Sequence, residues 1–141
     1  MADKKKLERL LRVRTLQLGL VRADEAQAQA RVASEANLRA RIAQLADGVS
    51  PAPSPTPTAG VSLVAAAHFR ERLHHSAEAA EGRVRAAQAV AFRAAEATRE
   101  AKRDQSAIEK LIDRAATEAA LKEIRKLEAM PPSRKIRHDP C

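Results

Sequence analysis

The chain has 141 residues, of which 45% are hydrophobic, 31% charged and only 1% aromatic. Alanine supplies much of the apolar fraction, and an alanine side chain buries little area. Too few large side chains are left to fill a compact core, which argues against a sandwich, a barrel or an α/β sheet. The abundant Ala, Arg, Lys, Glu, Leu and Gln residues favour long helices or a coiled coil.

The net charge of +8 is concentrated at the two chain ends. Residues 1–22 carry a net charge of +5, residues 23–100 carry none, and residues 101–141 carry +3. If the two ends meet in space, one pole of the molecule is basic. Such a pole would attract an acidic or polar partner.

The first predicted helix covers residues 4–46 and contains no proline. Its apolar side chains recur every three or four residues, as in a coiled coil, with a phase slip between Val32 and Leu38. This stripe consists of Leu7, Leu11, Arg14, Leu18, Val21, Glu25, Ala28, Val32, Glu35, Leu38, Ile42 and Leu45.

Residues 47–61 form a Pro/Gly-rich linker in which Pro51, Pro53, Pro55 and Pro57 alternate with small residues. Each proline removes a backbone donor and forces the preceding residue out of the α region, which predicts an extended segment. Gly48 stands where a helix often ends in the left-handed conformation.

The second, longer helix is predicted over residues 62–130, and Pro131 and Pro132 end it. A basic tail, residues 131–141, follows. The stripe of this helix consists of Phe69, Leu73, Ala80, Val84, Ala87, Ala91, Ala94, Ala101, Ile108, Ile112, Ala115 and Ala119, widened near its end by Leu111, Leu121, Ile124 and Leu127.

Helices of this length need a partner for their apolar stripes. The sequence therefore predicts an all-α fold, an antiparallel two-helix coiled coil packed through small residues in its middle. A three- or four-helix bundle is the alternative, and it requires a break near Gly82. Along the outer faces we expect Glu-to-basic pairs four residues apart: Glu8–Arg12, Glu35–Arg39, Glu81–Arg85 and Glu118–Lys122.

The pairing register has two solutions. In the first, residue 46 pairs with residue 62, and the first helix ends opposite about residue 105 of the second. The apolar residues from Ile108 to Leu127 are then left to contact another protein. A linker of about 14 residues can span ~45 Å, which also allows a shifted register that covers this C-terminal stripe.

No catalytic constellation, cofactor motif or metal site is evident. His74 and His75 are adjacent and point about 100° apart on a helix, so they cannot hold one metal ion from that helix. His138 and Cys141 have the H-x-x-C spacing of metal ligands, but the sequence offers no second pair of ligands. A single cysteine excludes an intramolecular disulfide. We expect a non-enzymatic protein that acts by binding.

The chain contains no apolar run near the ~18 residues of a membrane span and no apolar signal-peptide core. A cytoplasmic protein is therefore expected, with a basic amphipathic transit peptide over residues 4–22 as the weaker alternative. Nucleic-acid binding competes as a function because the sequence pI is about 10.4. Aromatic stacking platforms and a recognition module are missing, which disfavours it.

Two regions resemble the FliJ family of flagellar export proteins and its injectisome counterpart, the type III secretion stalk. They are the opening KKKLERLLRVR of residues 4–14, and the closing AIEKLIDR and EIRKLEAM of residues 107–114 and 123–130. The resemblance implies an antiparallel coiled coil that acts in flagellar biogenesis and protein export. The Pro-rich linker departs from the tight turn expected of that family.

The resemblance further implies three kinds of partner. The paired termini would enter the export ATPase hexamer, and the hairpin tip would engage the membrane export gate and export chaperones. The protein would then work at the cytoplasmic face of the membrane. We expect the partner-binding surface to contain the apolar residues Leu7, Leu11, Leu18, Leu121, Ile124 and Leu127 and the basic residues Arg9, Arg12, Arg125 and Lys126.

Overall fold

The structure, a computed structural model, describes residues 2–48 and 59–132. Helix α1 spans Ala2–Gly48 and helix α2 spans Ala59–Glu128. The two helices pack against each other in an antiparallel hairpin, and the described residues contain no strand, which confirms the predicted all-α coiled-coil class. Because α2 passes Gly82 without a break, the bundle alternative is wrong.

The helix ends differ from the predicted ones by two or three residues. Asp3 lies in the first turn of α1, and Arg125 and Lys126 lie in the last turn of α2. Each charge has the sign that interacts favourably with the helix dipole at that end. Gly48 is the last residue of α1 and its φ is not positive, so the predicted left-handed ending is wrong. Most of the predicted linker, residues 49–58, and the tail residues 133–141 lie outside the described residues.

The chain divides into two compact units. The terminal unit combines Met1–Leu16 with Arg103–Cys141, and the middle unit consists of Gln17–Lys102. Each unit contains a part of both helices, so the pairing of α1 with α2 is seen separately in each.

Three contacts set the register of the middle unit. Thr98 Oγ1 lies 3.3 Å from the carbonyl oxygen of Val21, to which it donates. Arg83 Nε donates to Glu35 Oε2 at 3.1 Å, and Arg39 Nη1 donates to Glu81 Oε2 at 2.9 Å. Numbers that rise along α1 fall along α2, so the pairing is antiparallel. At this register Gly48 lies level with about residue 71, and the first turns of α2 extend beyond the end of α1.

The seam of the middle unit is narrow and rich in alanine. Ala80 is fully buried and Leu18 is 3% exposed. The other buried residues of this unit are Ala28, Leu73, Val84, Ala87 and Ala91, all of which belong to the predicted stripes. Small side chains let two helices approach closely, so this seam gains its stability from close contact over many turns rather than from a few large side chains.

The predicted phase slip in α1 is not observed. Leu38 and Leu45 are 43% and 58% exposed, whereas Glu35, Ile42 and Ala46 are half-buried. The inward row therefore continues from Glu35 to Ile42 and Ala46, with the exposed Arg39 at its edge, and the larger apolar residues near the end of α1 point outward. A seam of this width accommodates Ala46 more readily than a leucine.

Three charged side chains predicted to pair along their own helix, Glu35, Arg39 and Glu81, pair between the helices instead. Glu35 and Arg39 do not bind each other: Glu35 accepts from Arg83, and Arg39 donates to Glu81. The alanine seam explains the difference, because it brings the two backbones close enough for an arginine to reach across.

In the terminal unit α1 and α2 also run antiparallel. Arg14 Nη1 lies 3.1 Å from Asp104 Oδ2, and Gln105 Nε2 donates to Thr15 Oγ1 at 3.2 Å. Ile108 is 6% exposed, and Leu11 is half-buried. This register is shifted relative to the one that pairs residue 46 with residue 62. It places Ala2 level with about residue 117.

Three predicted stripe residues lie at or beyond the reach of α1 and are exposed. They are Phe69 in the middle unit and Ala115 and Ala119 in the terminal unit. Residues 118–128 of α2, here called the overhang, therefore have no α1 residue beside them among the described residues.

Candidate interaction surface

The structure places the predicted apolar site residues in three different settings. Leu7 and Leu11 are half-buried in the terminal unit. Leu18 is buried in the seam of the middle unit. The overhang residues Leu121, Ile124 and Leu127 are 48%, 50% and 67% exposed. Leu18 therefore serves the fold of its own unit. Among the six predicted apolar residues, the three of the overhang are the ones that offer exposed side chains to a partner.

The apolar stripe of the overhang does not continue the α1–α2 seam. From the inward residues Ile108 and Ile112, steps of three and four residues lead to Ala115, Ala119 and then Lys122. Leu121 and Ile124 lie about 140–160° around the helix from Ile108. These side chains therefore face away from the seam, and a longer α1 would not cover them.

Within the described residues, the net positive charge of the predicted basic surface comes from one of its two helices. Residues 106–130 contain five basic and five acidic residues and so carry no net charge. Lys126 Nζ lies 2.8 Å from Glu123 Oε1, which neutralises one of the four predicted basic residues. By contrast, residues 2–16 contain six basic and two acidic residues. Among the described residues, the basic character of the terminal unit thus comes from α1, while the basic residues of the tail, residues 133–141, lie outside the described residues.

A second apolar row on α1 was missed by sequence reasoning. Leu10, Val13 and Leu16 are 42%, 50% and 71% exposed. Their spacing of three residues is visible in the sequence, but the stronger row through Leu7 and Leu11 masks it. In this region α1 is therefore apolar on two sides, one against α2 and the other toward solvent.

Exposed basic side chains surround this row. Lys5, Lys6, Arg9 and Arg12 are all exposed and make no ion pair with the described residues. A shallow open groove lined by Leu11, Arg12, Thr15 and Leu16 lies beside them. Another open depression, lined by residues such as Ala28 and Val90, belongs to the middle unit.

The exposed histidines form carboxylate contacts and not a metal centre. His74 Nε2 and His75 Nδ1 lie 3.4 Å and 3.7 Å from the two carboxylate oxygens of Glu78. Within residues 2–48 and 59–132, no three His, Cys, Asp or Glu side chains are grouped so that they could hold a metal ion. None of the described helices contains a stretch long and apolar enough to cross a lipid bilayer.

Comparisons with protein-family models, with curated proteins and with solved structures give no match to this chain. The resemblance to the FliJ family therefore depends on the residues quoted above and on the type of fold.

Proposed function

We propose that the protein is a non-enzymatic coiled-coil stalk of a type III protein export apparatus, flagellar or injectisome, and that its terminal unit binds the export ATPase hexamer. The apolar overhang is the observation that carries this proposal. Three large apolar side chains lie within seven residues, each about half exposed or more, and two of them, Leu121 and Ile124, face away from the seam. Exposed apolar rows of this kind mark protein interaction sites.

The charge of α1 supports the same orientation. The exposed residues Arg9 and Arg12, together with Lys4, Lys5 and Lys6, give this end of the protein a positive field. A positive field accelerates association with an acidic or polar opening, and the effect weakens as salt is added. The resemblance assigns the other end of the hairpin to the membrane export gate and to export chaperones, which would place the protein at the cytoplasmic face of the membrane.

The proposal is tested with a purified export ATPase from the same organism. Full-length protein should bind the ATPase oligomer and raise its rate of hydrolysis. Replacing Leu121, Ile124 and Leu127 by glutamine should weaken binding at least about a hundredfold, since three apolar anchors are lost. The matched control replaces Leu20, Leu38 and Leu45, which are exposed in the middle unit, and should bind normally. Equal loss in both variants would show that the protein binds along its length.

The charged residues are tested by reversal. Changing Arg9, Arg12, Arg125 and Lys126 to glutamate should weaken ATPase binding most at low salt, because the screening length is longest there. The control reverses Arg31, Arg41, Arg85 and Arg93, exposed residues of the middle unit that make no ion pair with the described residues. Helicity by circular dichroism should stay the same in both variants. A larger effect from the control set would contradict the proposal.

Nucleic-acid binding is the second candidate. The observation in its favour is the group of exposed basic residues near the start of α1, which could contact phosphates. Such binding would show retention on DNA or RNA that falls steeply with salt. Tight retention at physiological salt, with no effect on the ATPase, would favour this candidate over the stalk.

A further inference from the structure

The outward side of α1 in the terminal unit combines basic and apolar residues, with a single acid at its edge. Relative to the inward residue Leu11, Val13 and Leu16 lie about 140–160° around the helix, Leu10 lies about 100° around it, and Lys5, Lys6, Arg9 and Arg12 lie between about 100° and 160°. The exposed Asp3 lies about 20° from Leu10 at the edge of this side, whereas Glu8 is half-buried about 60° from Leu11. The partner that fits this side is therefore anionic and partly apolar.

A second copy of the chain does not meet this requirement. The same side of another molecule would offer Lys, Arg, Leu and Val with Asp3 as its one acid, so self-pairing brings a single opposite charge to four basic residues. Charge complementarity therefore favours a different kind of partner.

A partner helix fits the side less well than a lipid surface does. A coiled-coil partner needs an apolar row over several turns, and within the terminal unit the row of Leu10, Val13 and Leu16 spans about two turns, the next exposed leucine, Leu20, belonging to the middle unit. A bilayer interface accepts a short apolar row at shallow depth, while long basic side chains extend to the headgroups. Lysine and arginine on one side with exposed leucines are typical of helices that lie on anionic membranes.

We propose that the outward side of α1, formed by Lys5, Lys6, Arg9 and Arg12 with Leu10, Val13 and Leu16, binds the surface of an anionic membrane. Leu11 and Ile108 keep α1 against α2 at the same time, so binding does not require the terminal unit to open. The apolar overhang of α2 takes no part in this contact. This goes beyond the proposed function, in which the basic residues of α1 only supply a positive field, since it assigns a lipid surface as the direct partner of this side.

Vesicle sedimentation tests the proposal with the full chain alone. Phosphatidylcholine vesicles containing about one third phosphatidylglycerol should bind the protein, whereas vesicles of phosphatidylcholine alone should not. Raising the salt from about 0.1 M to about 0.5 M should release most of the protein. Each basic residue contributes about fivefold to partitioning, so changing Lys5, Lys6, Arg9 and Arg12 to glutamate should lower binding by more than about a hundredfold.

The apolar row separates lipid from nucleic acid. Replacing Leu10, Val13 and Leu16 by glutamine should weaken vesicle binding at least about tenfold, while the charge stays the same. These side chains are exposed, so the variant should keep its helicity, which circular dichroism checks. Reversal of Arg31, Arg41, Arg85 and Arg93 is the matched charge control and should leave vesicle binding nearly unchanged.

Three results would overturn the proposal. They are equal binding to neutral and anionic vesicles, equal loss in the control reversal, and an apolar variant that binds as well as the original chain. The last result, combined with retention on DNA or RNA, would assign the basic residues to nucleic acid. Because ATPase binding is measured without vesicles, the stalk function and the membrane contact can fail independently.

Discussion

The middle and terminal units use the same pair of helices in different ways. The middle unit buries seven residues and closes its seam with alanines and two cross-helix ion pairs. In the described part of the terminal unit, Ile108 is the only buried residue, although large apolar side chains are abundant there. Both units expose large apolar side chains, such as Leu20 and Phe92 in the middle unit and Leu16 and Leu127 in the terminal unit, but the middle unit also contains a continuous buried seam.

This difference suggests which unit stabilises the fold and which unit offers surfaces for binding. Small residues in register let the middle unit bury its seam, although large side chains such as Leu20 and Phe92 stay exposed on its other sides. In the terminal unit the overhang and the outward side of α1 each keep a row that its own helix partner does not cover. We infer that the middle unit supplies the stability of the hairpin and the terminal unit supplies its contacts.

The largest expected effect is the loss of Leu18 from the seam. Leu18→Ala removes a side chain that is 3% exposed and should lower the free energy of unfolding by about 3 kcal/mol. Leu20→Ala is the matched control, since Leu20 is 68% exposed two residues further along the same helix, and it should change stability by less than about 0.5 kcal/mol. Chemical denaturation followed by circular dichroism measures both. Similar costs would mean that the described seam is not the one that holds the unit together.

A smaller effect is expected from overfilling the alanine seam. Ala80 has no exposed surface, so Ala80→Leu should force the helices apart and cost about 2 kcal/mol. Ala79→Leu places the same side chain on the exposed neighbour and should be almost neutral, because leucine and alanine are both good helix formers. Thermal unfolding of the two variants compares them directly. If Ala80→Leu were the more stable protein, the middle unit would be loosely packed and its contrast with the terminal unit would disappear.

Composition and periodicity were sufficient to predict the fold. Helix-forming residues without internal proline give two long helices, and the row from Leu73 to Ala91 is identified correctly because its residues recur every three or four positions. The same method selected Leu38 and Leu45 because they are larger than their neighbours. Size is a poor guide in a narrow seam, where alanine fits better than leucine.

The register and the second apolar row were beyond sequence reasoning for different reasons. The register depends on which arginine reaches which carboxylate across the seam, and residues such as Arg39 have acceptable partners on both helices. The row of Leu10, Val13 and Leu16 is legible in the sequence, but periodicity alone does not say which of two rows on one helix faces inward. The partner-binding role of the predicted site residues stays a prediction, while their exposure and burial are now fixed.

The smallest expected effect concerns the ion pairs that flank the alanine seam. Arg39 and Glu81 are each nearly half exposed, so their 2.9 Å contact is screened by water. A double-mutant cycle with Arg39→Gln and Glu81→Gln should give a coupling energy of about 0.5 kcal/mol, which should decrease as salt is added. The pair Arg99 and Glu96, three residues apart on α2, provides the comparison within one helix and should couple by about 0.3 kcal/mol. A coupling above about 2 kcal/mol for Arg39 and Glu81 would contradict the account of the middle unit, because the cross-helix ion pairs would then stabilise it as much as the apolar seam does.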